Sequence, residues 1–214
     1  MKLIIFDVDG VLETEDDLIE ARTERILKEI SKKHGVSVED AKHLLQKARR
    51  SLPEEKRKTT VYAVEKLGFT RKHYFDMINS VSPEGLIESY PGSDEILREL
   101  SKKYVLVAFS NTPKIALVKT LKLIDAYRYM QKIYSVEDFK ESKPSSSIIK
   151  QIMDDQESRP ENTVSIGNSL EKDILPSKKA QTTTILFDPN KKFNGKPDGA
   201  DYIIRDLREI MKIV

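Results

Sequence analysis

The chain has 214 residues, of which 38% are hydrophobic and 34% charged, so it can bury one large core or a core with an insertion. Its net charge of +2 gives no sign of the clustered basic face that nucleic acid requires, and the absence of cysteine excludes disulfides and thiolate metal sites. No apolar run approaches the roughly 18 residues of a membrane span, and no signal-peptide pattern precedes the first strand. We therefore expect a soluble, cytoplasmic protein that binds neither nucleic acid nor membranes.

Two acids follow the first apolar run of the chain. Leu3–Phe6 is unbroken and apolar, and Asp7, Asp9 and Gly10 come directly after it. A short apolar run that ends in turn residues is typical of a strand buried on both faces of a sheet. Ligands of parallel sheets lie beyond the carboxyl ends of the strands, so both acids are candidate functional residues. Because they repel each other, they require a cation, a shared proton or a cationic side chain.

Residues 13–88 show the apolar spacing of helices and no alternating strand pattern. The first helix is expected to end near Gly35, which can adopt a left-handed cap. Ser37 is a candidate N-cap of the second helix, with Asp40 where a capping box would have Glu or Gln. The segment is therefore predicted to form a small helical bundle. Its later helices are predicted at residues 54–67 and 70–78.

Residues 89–214 alternate between short apolar runs and amphipathic stretches of helical spacing. Such alternation requires right-handed crossovers and predicts a mostly parallel sheet. The helical segment interrupts the alternation directly after the first strand, so it must leave the sheet and return. We therefore predict an α/β fold with a core of residues 1–12 and 89–214 and an inserted all-helical cap of residues 13–88. Further strands are predicted at residues 104–109, 132–135, 163–166, 183–187 and 202–204, and the last helix at residues 207–213.

Polar side chains follow three of these later strands. Ser110 comes after the second strand, Lys143 after the third, and Asn168 and Asp173 after the fourth. Each has an ordinary explanation when taken alone, since Ser110 can cap a helix and Lys143 can lie on the surface. Asp173 can be a charge near the start of a helix. Their occurrence in this order after successive strands is far more specific than any one of them.

The stretch DVDGVL at residues 7–12 resembles the first motif of the haloacid dehalogenase superfamily, whose members are mostly magnesium-dependent phosphatases. Ser110, Lys143 and the stretch GNSLEKD at residues 167–173 resemble the three later motifs of that superfamily. The resemblance covers essentially the whole chain, and residues 89–92 resemble the point of return from a helical cap. It implies a three-layer, Rossmann-like core and phosphoryl-transfer chemistry.

The resemblance also implies a role for each motif residue. Asp7 would attack phosphorus and form an aspartyl-phosphate, and Asp9 would act first as general acid and then as general base. Ser110 and the backbone near Asn111 would bind phosphoryl oxygens. Lys143 would neutralise charge on Asp7 and on the phosphoryl group, since such transfers depend on positioning and charge stabilisation.

The metal implied by the resemblance is Mg²⁺, held by Asp7, the Asp9 backbone carbonyl, Asn168 and Asp173. The superfamily usually has Asp where this chain has Asn168. The amide keeps an oxygen ligand but loses a negative charge, so Mg²⁺ affinity should fall unless Asp173 or Glu171 compensates. If Asn168 still binds the metal, replacing it by Asp should tighten Mg²⁺ binding.

These residues predict a phosphatase that acts on a small phosphorylated metabolite. A sugar phosphomutase with the same site is an alternative, as is a ligand-binding protein with weak turnover because of Asn168. Asp9 argues against a dehalogenase, which needs no general acid at that position. Arg49 and Arg50 in the predicted cap could meet an anionic substrate, although a solvated helix face is the favoured explanation.

Overall fold

In a computed structural model of the protein, residues 2–214 are described, apart from the side chain of Glu55. The chain divides into two compact units, one that ends at Glu15 and resumes at Ile87–Val214, and one formed by Asp16–Leu86. The predicted helical segment, residues 13–88, is therefore slightly longer at both ends than the observed helical unit. The difference arises because Thr14 N donates to the Glu88 carbonyl at 2.8 Å, which keeps both connecting segments with the first unit.

The first unit contains, within the described chain, a six-stranded sheet in the order β3-β2-β1-β4-β5-β6. Every pairing in it is parallel, which confirms the predicted α/β fold. The strands are β1 (Leu3–Phe6), β2 (Val105–Phe109), β3 (Lys132–Tyr134), β4 (Thr163–Gly167), β5 (Thr183–Phe187) and β6 (Tyr202–Ile204). The helices of both units are α1 (Asp16–His34), α2 (Val38–Arg50), α3 (Glu54–Arg57), α4 (Thr60–Lys66), α5 (Arg71–Asn79), α6 (Ser93–Ser101), α7 (Lys114–Leu123), α8 (Ser146–Asp155) and α9 (Leu175–Lys179).

Helices cover both faces of the sheet, as the side chains of the central strand β1 show. Ile4 and Phe6 pack into an apolar cluster with side chains of α6 and α7. Leu3 and Ile5 point to the opposite face and pack against α8. The core therefore has the predicted three layers.

The register of the sheet places the carboxyl ends of β1, β2 and β4 next to one another. The last residue of β1 pairs with Ala108 on one side and Ile166 on the other. The residues that follow are Asp7, Ser110 and Asn168, and Asp7 N donates to the Ile166 carbonyl at 2.9 Å. The polar residues singled out in the sequence therefore emerge at one edge of the sheet.

The second unit is all-helical among its described residues, as predicted. Its helix α2 begins with Ser37, whose hydroxyl accepts from Asp40 N at 3.1 Å. The helix predicted at residues 54–67 is instead the pair α3 and α4. Thr59 between them has an extended backbone, and its β-branched side chain disfavours a continuous helix. That this unit serves as a cap stays a prediction.

Two further findings concern the C-terminal segment and the length of the helices. The segment Leu207–Lys212, predicted as an α-helix, is a 3₁₀ helix that begins with a capping box of Asp206 and Glu209. Within residues 2–214, no helix is both long enough and apolar enough to cross a membrane.

The end of α8 is tied to the edge strand β3 by the carboxylate of Asp155. Lys132 Nζ lies 2.6 Å from its Oδ2, the Tyr134 hydroxyl donates to the same oxygen, and Gln156 Nε2 lies 3.0 Å away. Hydrogen bonds from Lys132, Tyr134 and Gln156, in that order of effect, lower the pKa of Asp155 to about 2. A depressed pKa means that the ionised group stabilises the fold above its unfolded value of roughly 3.9, and that this contribution is lost as the pH falls toward 2.

We expect Asp155→Asn to lower the thermal unfolding temperature at neutral pH by a few degrees at most, since the pair is exposed. The difference from the wild type should shrink as the pH falls from about 4 to about 2. Asp154→Asn, in the same helical turn and exposed, is the matched control and should leave the unfolding temperature nearly unchanged. Equal pH profiles for Asp155→Asn and the wild type would contradict the assignment.

Candidate active site

A single ammonium group lies between two buried carboxylates at the centre of the site. Lys143 Nζ donates to Asp7 Oδ1 and to Asp173 Oδ1, each at 2.8 Å. The three side chains are 7%, 11% and 7% exposed for Lys143, Asp7 and Asp173. Lys143 and Asp173, which follow different strands, thus form one cluster with Asp7 through the lysine ammonium.

Burial and mutual repulsion set the charge state of this group. Burial raises the pKa of Asp7 well above its ordinary value, the carboxylate of Asp173 raises it further, and the Lys143 ammonium partly offsets both. Burial lowers the pKa of Lys143, but the carboxylates of Asp173 and Asp7 outweigh it and raise that pKa overall. The amine therefore stays a cation between the two buried acids.

The backbone of Lys143 is fixed by the side chain of Asn111. Lys143 N donates to Asn111 Oδ1 at 2.8 Å, and Asn111 Nδ2 donates to the Lys143 carbonyl at 3.2 Å. The Lys143 ammonium also lies 4.6 Å from the centre of the Phe109 ring, within range of a cation–π contact. The side chain of Asn111, expected near substrate, therefore positions the lysine.

Two hydroxyl groups hold the carboxylate of Asp9. The Ser110 hydroxyl donates to Asp9 Oδ2, and Thr112 Oγ1 lies 3.2 Å and 3.1 Å from the two carboxylate oxygens. Thr112 N in turn donates to Ser110 Oγ at 2.9 Å. Ser110 thus meets the site through Asp9. Thr112 was not predicted, although it lies in the same polar stretch as Ser110.

Asn168, at the end of β4, contacts the loop after β1. Its Nδ2 donates to the Asp9 carbonyl at 3.3 Å and to Glu15 Oε1 at 3.0 Å. Both contacts pass over Gly10, whose φ is +75° and where a Cβ would lie 2.0 Å from Asn168 Nδ2 and 2.5 Å from Glu15 Oε1. Only glycine leaves room there. The sequence did not predict that Glu15 belongs to the site. The feature that could have indicated it is an acidic residue close to the first motif.

Both carboxylate oxygens of Asp173 accept hydrogen bonds. Its Oδ1 accepts from Lys143 and its Oδ2 accepts from Ser169 N at 3.1 Å. It fits closely because Gly167 has no side chain, since a Cβ there would lie 2.3 Å from Asp173 Cβ. These contacts place Asp173 beside Lys143, and its role as a metal ligand stays a prediction. Glu171, the other expected compensating acid, is exposed.

The oxygen donors of the site fit a magnesium ion. Within residues 2–214, no three or more acidic, histidine or cysteine side chains gather into a metal cluster of their own. The oxygen atoms near the ends of β1 and β4 that could bind a metal are those of the Asp7 carboxylate, the Asp9 carbonyl and the Asn168 side-chain amide. Mg²⁺ keeps several waters and binds proteins through one or two carboxylates together with substrate phosphate, so this small set of hard oxygens suits it.

The chain is similar to several proteins of known sequence or structure. The chain is similar to a phosphoglycolate phosphatase from Aquifex aeolicus (strain VF5), with 27% identity over 187 residues, which cover 87% of this chain and 84% of that protein. A crystal structure of a HAD phosphatase from Thermococcus onnurineus superposes with a TM-score of 0.75 and 24% identity, over 100% of this chain and 97% of the other.

A putative β-phosphoglucomutase from Thermotoga maritima is similar in fold, with a TM-score of 0.65, 20% identity and complete coverage of both chains. A 2-haloacid dehalogenase from Pseudomonas syringae pv. Tomato DC3000 is similar as well, with a TM-score of 0.68, 20% identity and coverage of 100% and 97%. The sequence pattern of the family described as haloacid dehalogenase-like hydrolase matches residues 4–187. The chain therefore belongs to the haloacid dehalogenase-like hydrolases.

Proposed function

We propose that this hydrolase is a Mg²⁺-dependent phosphatase, which removes phosphate from a small phosphomonoester through an aspartyl-phosphate at Asp7. The observation that carries the proposal is the buried contact of Lys143 Nζ with Asp7 Oδ1 at 2.8 Å. An acid held at the end of a central strand beside a permanent cation can attack an anionic group, because the cation reduces their repulsion.

In the proposed first step, an Asp7 carboxylate oxygen attacks phosphorus and the bond from phosphorus to the leaving oxygen breaks. Asp9, held by Ser110 and Thr112, gives its proton to that oxygen, so the dephosphorylated product leaves as an alcohol. Asp9 then takes a proton from a water that attacks the same phosphorus. The bond between phosphorus and Asp7 breaks, inorganic phosphate leaves and both acids return to their starting state.

The remaining residues supply charge and position. Asp7, the Asp9 carbonyl and Asn168 would hold Mg²⁺, which when bound supplies positive charge to the phosphoryl oxygens. Lys143 neutralises charge on Asp7 and on the phosphoryl group, and Asp173 keeps the lysine in place. Asn111 fixes the lysine through its backbone, so it acts as a positioning residue.

The similarity to a phosphoglycolate phosphatase supports a small phosphorylated metabolite as substrate, and phosphoglycolate is the first compound to test. The contacts of Asp9 favour phosphate chemistry over dehalogenation, because a halide leaves without a proton. A phosphomutase is the second candidate, since a protein described as a putative β-phosphoglucomutase shares the fold.

We expect the wild type to release phosphate from p-nitrophenyl phosphate and from members of a phosphomonoester panel with Mg²⁺, and to stop when EDTA removes the metal. Asp7→Asn should lower release by more than about a thousandfold, since it removes the nucleophile. Asp16→Asn, an exposed acid on α1, is the control and should retain activity.

Three outcomes of that assay decide between the candidates. Full activity in folded Asp7→Asn would contradict the assigned nucleophile. Isomerisation of a sugar phosphate without net phosphate release would favour the mutase. Silence of the wild type across the panel would favour a ligand-binding protein.

Lys143→Met should destabilise the protein as well as inactivate it, because Asp7 and Asp173 then lie buried without a cation. Breaking such a buried pair costs about 3–5 kcal/mol in free energy of unfolding near neutral pH. An acid whose folded pKa is raised stabilises the fold at low pH and loses that contribution as the pH rises through the raised value. The loss relative to the wild type should therefore be smaller near pH ~5 than near pH ~7.5.

Urea unfolding at the two pH values measures this difference. Lys140→Met, an exposed lysine a few residues earlier, is the matched control and should unfold like the wild type at both. A Lys143→Met protein with wild-type stability and wild-type pH dependence would show that the ammonium does not neutralise these acids.

A further inference from the structure

The amide of Asn168 joins two oxygens that face the loop after β1. Its Nδ2 lies 3.3 Å from the Asp9 carbonyl oxygen and 3.0 Å from Glu15 Oε1. Asn168 and Glu15 are both half-buried, and the cradle over Gly10 leaves no space for a side chain at that position. The contact is therefore part of a built site and lies beside the carbonyl assigned above to Mg²⁺.

The spacing of these atoms is that of neighbouring ligands on a magnesium ion. Octahedral Mg²⁺ with bonds of about 2.0–2.1 Å places adjacent oxygen ligands about 3 Å apart. Half a turn of the Asn168 side-chain torsion exchanges its nitrogen and oxygen positions. The amide oxygen would then lie about 3 Å from both the Asp9 carbonyl and Glu15, where the nitrogen lies now.

The charges around the amide single out Glu15. Asn168 is neutral, so it brings an oxygen to the metal without a charge. Asp173 is engaged by Lys143 and Ser169 N, and Glu171 is exposed. Glu15 is the carboxylate whose contact with Asn168 the structure shows directly.

We propose that Glu15 is a ligand of the Mg²⁺ through Oε1 and supplies the negative charge that Asn168 does not. Without the metal, the amide nitrogen donates to Glu15 and to the Asp9 carbonyl and so separates two oxygens that would otherwise repel each other. With the metal, the amide turns and all three groups present oxygen. The inference rests on the Mg²⁺ site of the proposed function.

Mg²⁺ titration by calorimetry, without substrate, tests the proposal in four proteins: wild type, Glu15→Gln, Asn168→Asp and the double variant. Glu15→Gln should weaken Mg²⁺ binding by about tenfold or more, since it removes a charged ligand. Asn168→Asp should tighten binding, and the double variant should lie near the wild type because its charge count is the same. Glu20→Gln, the same change at an exposed position of α1, is the matched control.

Thermal unfolding in EDTA checks that each variant is folded before titration. Wild-type Mg²⁺ affinity in Glu15→Gln would overturn the inference, as would a wild type that binds no Mg²⁺. Phosphate release by the wild type together with unchanged affinity in Glu15→Gln would leave the proposed function standing and remove Glu15 alone. Glu15-dependent Mg²⁺ binding in a wild type that hydrolyses no phosphomonoester would support the inference and reject the proposed function.

Discussion

The ammonium of Lys143, held 2.8 Å from both Asp7 and Asp173, is the interaction on which the rest of the site depends. The ammonium partly offsets the burial and the repulsion from Asp173 that raise the pKa of Asp7, and so favours the ionised form that the proposed nucleophile needs. The chain holds the cation in place from several directions. Asn111 hydrogen-bonds its backbone, the ring of Phe109 lies below its ammonium, and Asp173 accepts its second hydrogen bond.

The site separates its charges into two regions around Asp7. On one side, Lys143 is matched by Asp173, and this pair is closed to solvent. In the other region, the backbone carbonyl of Asp9 and the carboxylate of half-buried Glu15 both contact the Asn168 amide. A divalent ion in that second region would neutralise the negative charge of the carboxylate and of an incoming phosphoryl group. In this arrangement the Lys143 ammonium is a cation that the protein always carries, whereas a Mg²⁺ ion would bind together with the substrate.

The sequence predicted the parts of this arrangement that follow from strand ends. Parallel strands place their carboxyl ends at one edge, so Asp7, Ser110 and Lys143 were expected together without knowledge of any contact. It did not predict that Thr112 and Glu15 belong to the site, or that the Asn111 side chain hydrogen-bonds the backbone of Lys143. Each of these acts through a hydrogen bond whose existence depends on the path of a loop. Glu15 lies among acids at the start of a helix, where acidic residues are common for an unrelated electrostatic reason.

The most direct measurement is to locate the phosphoryl group on the protein during turnover of a phosphomonoester with Mg²⁺. Acid quenching, digestion and mass spectrometry identify the residue that carries it. A phosphoryl group is expected on Asp7 while substrate is present and should disappear when substrate is exhausted. Release of phosphate with no phosphoryl group on Asp7 at any time, or with the group on Asp9 or Ser110, would contradict the proposed mechanism.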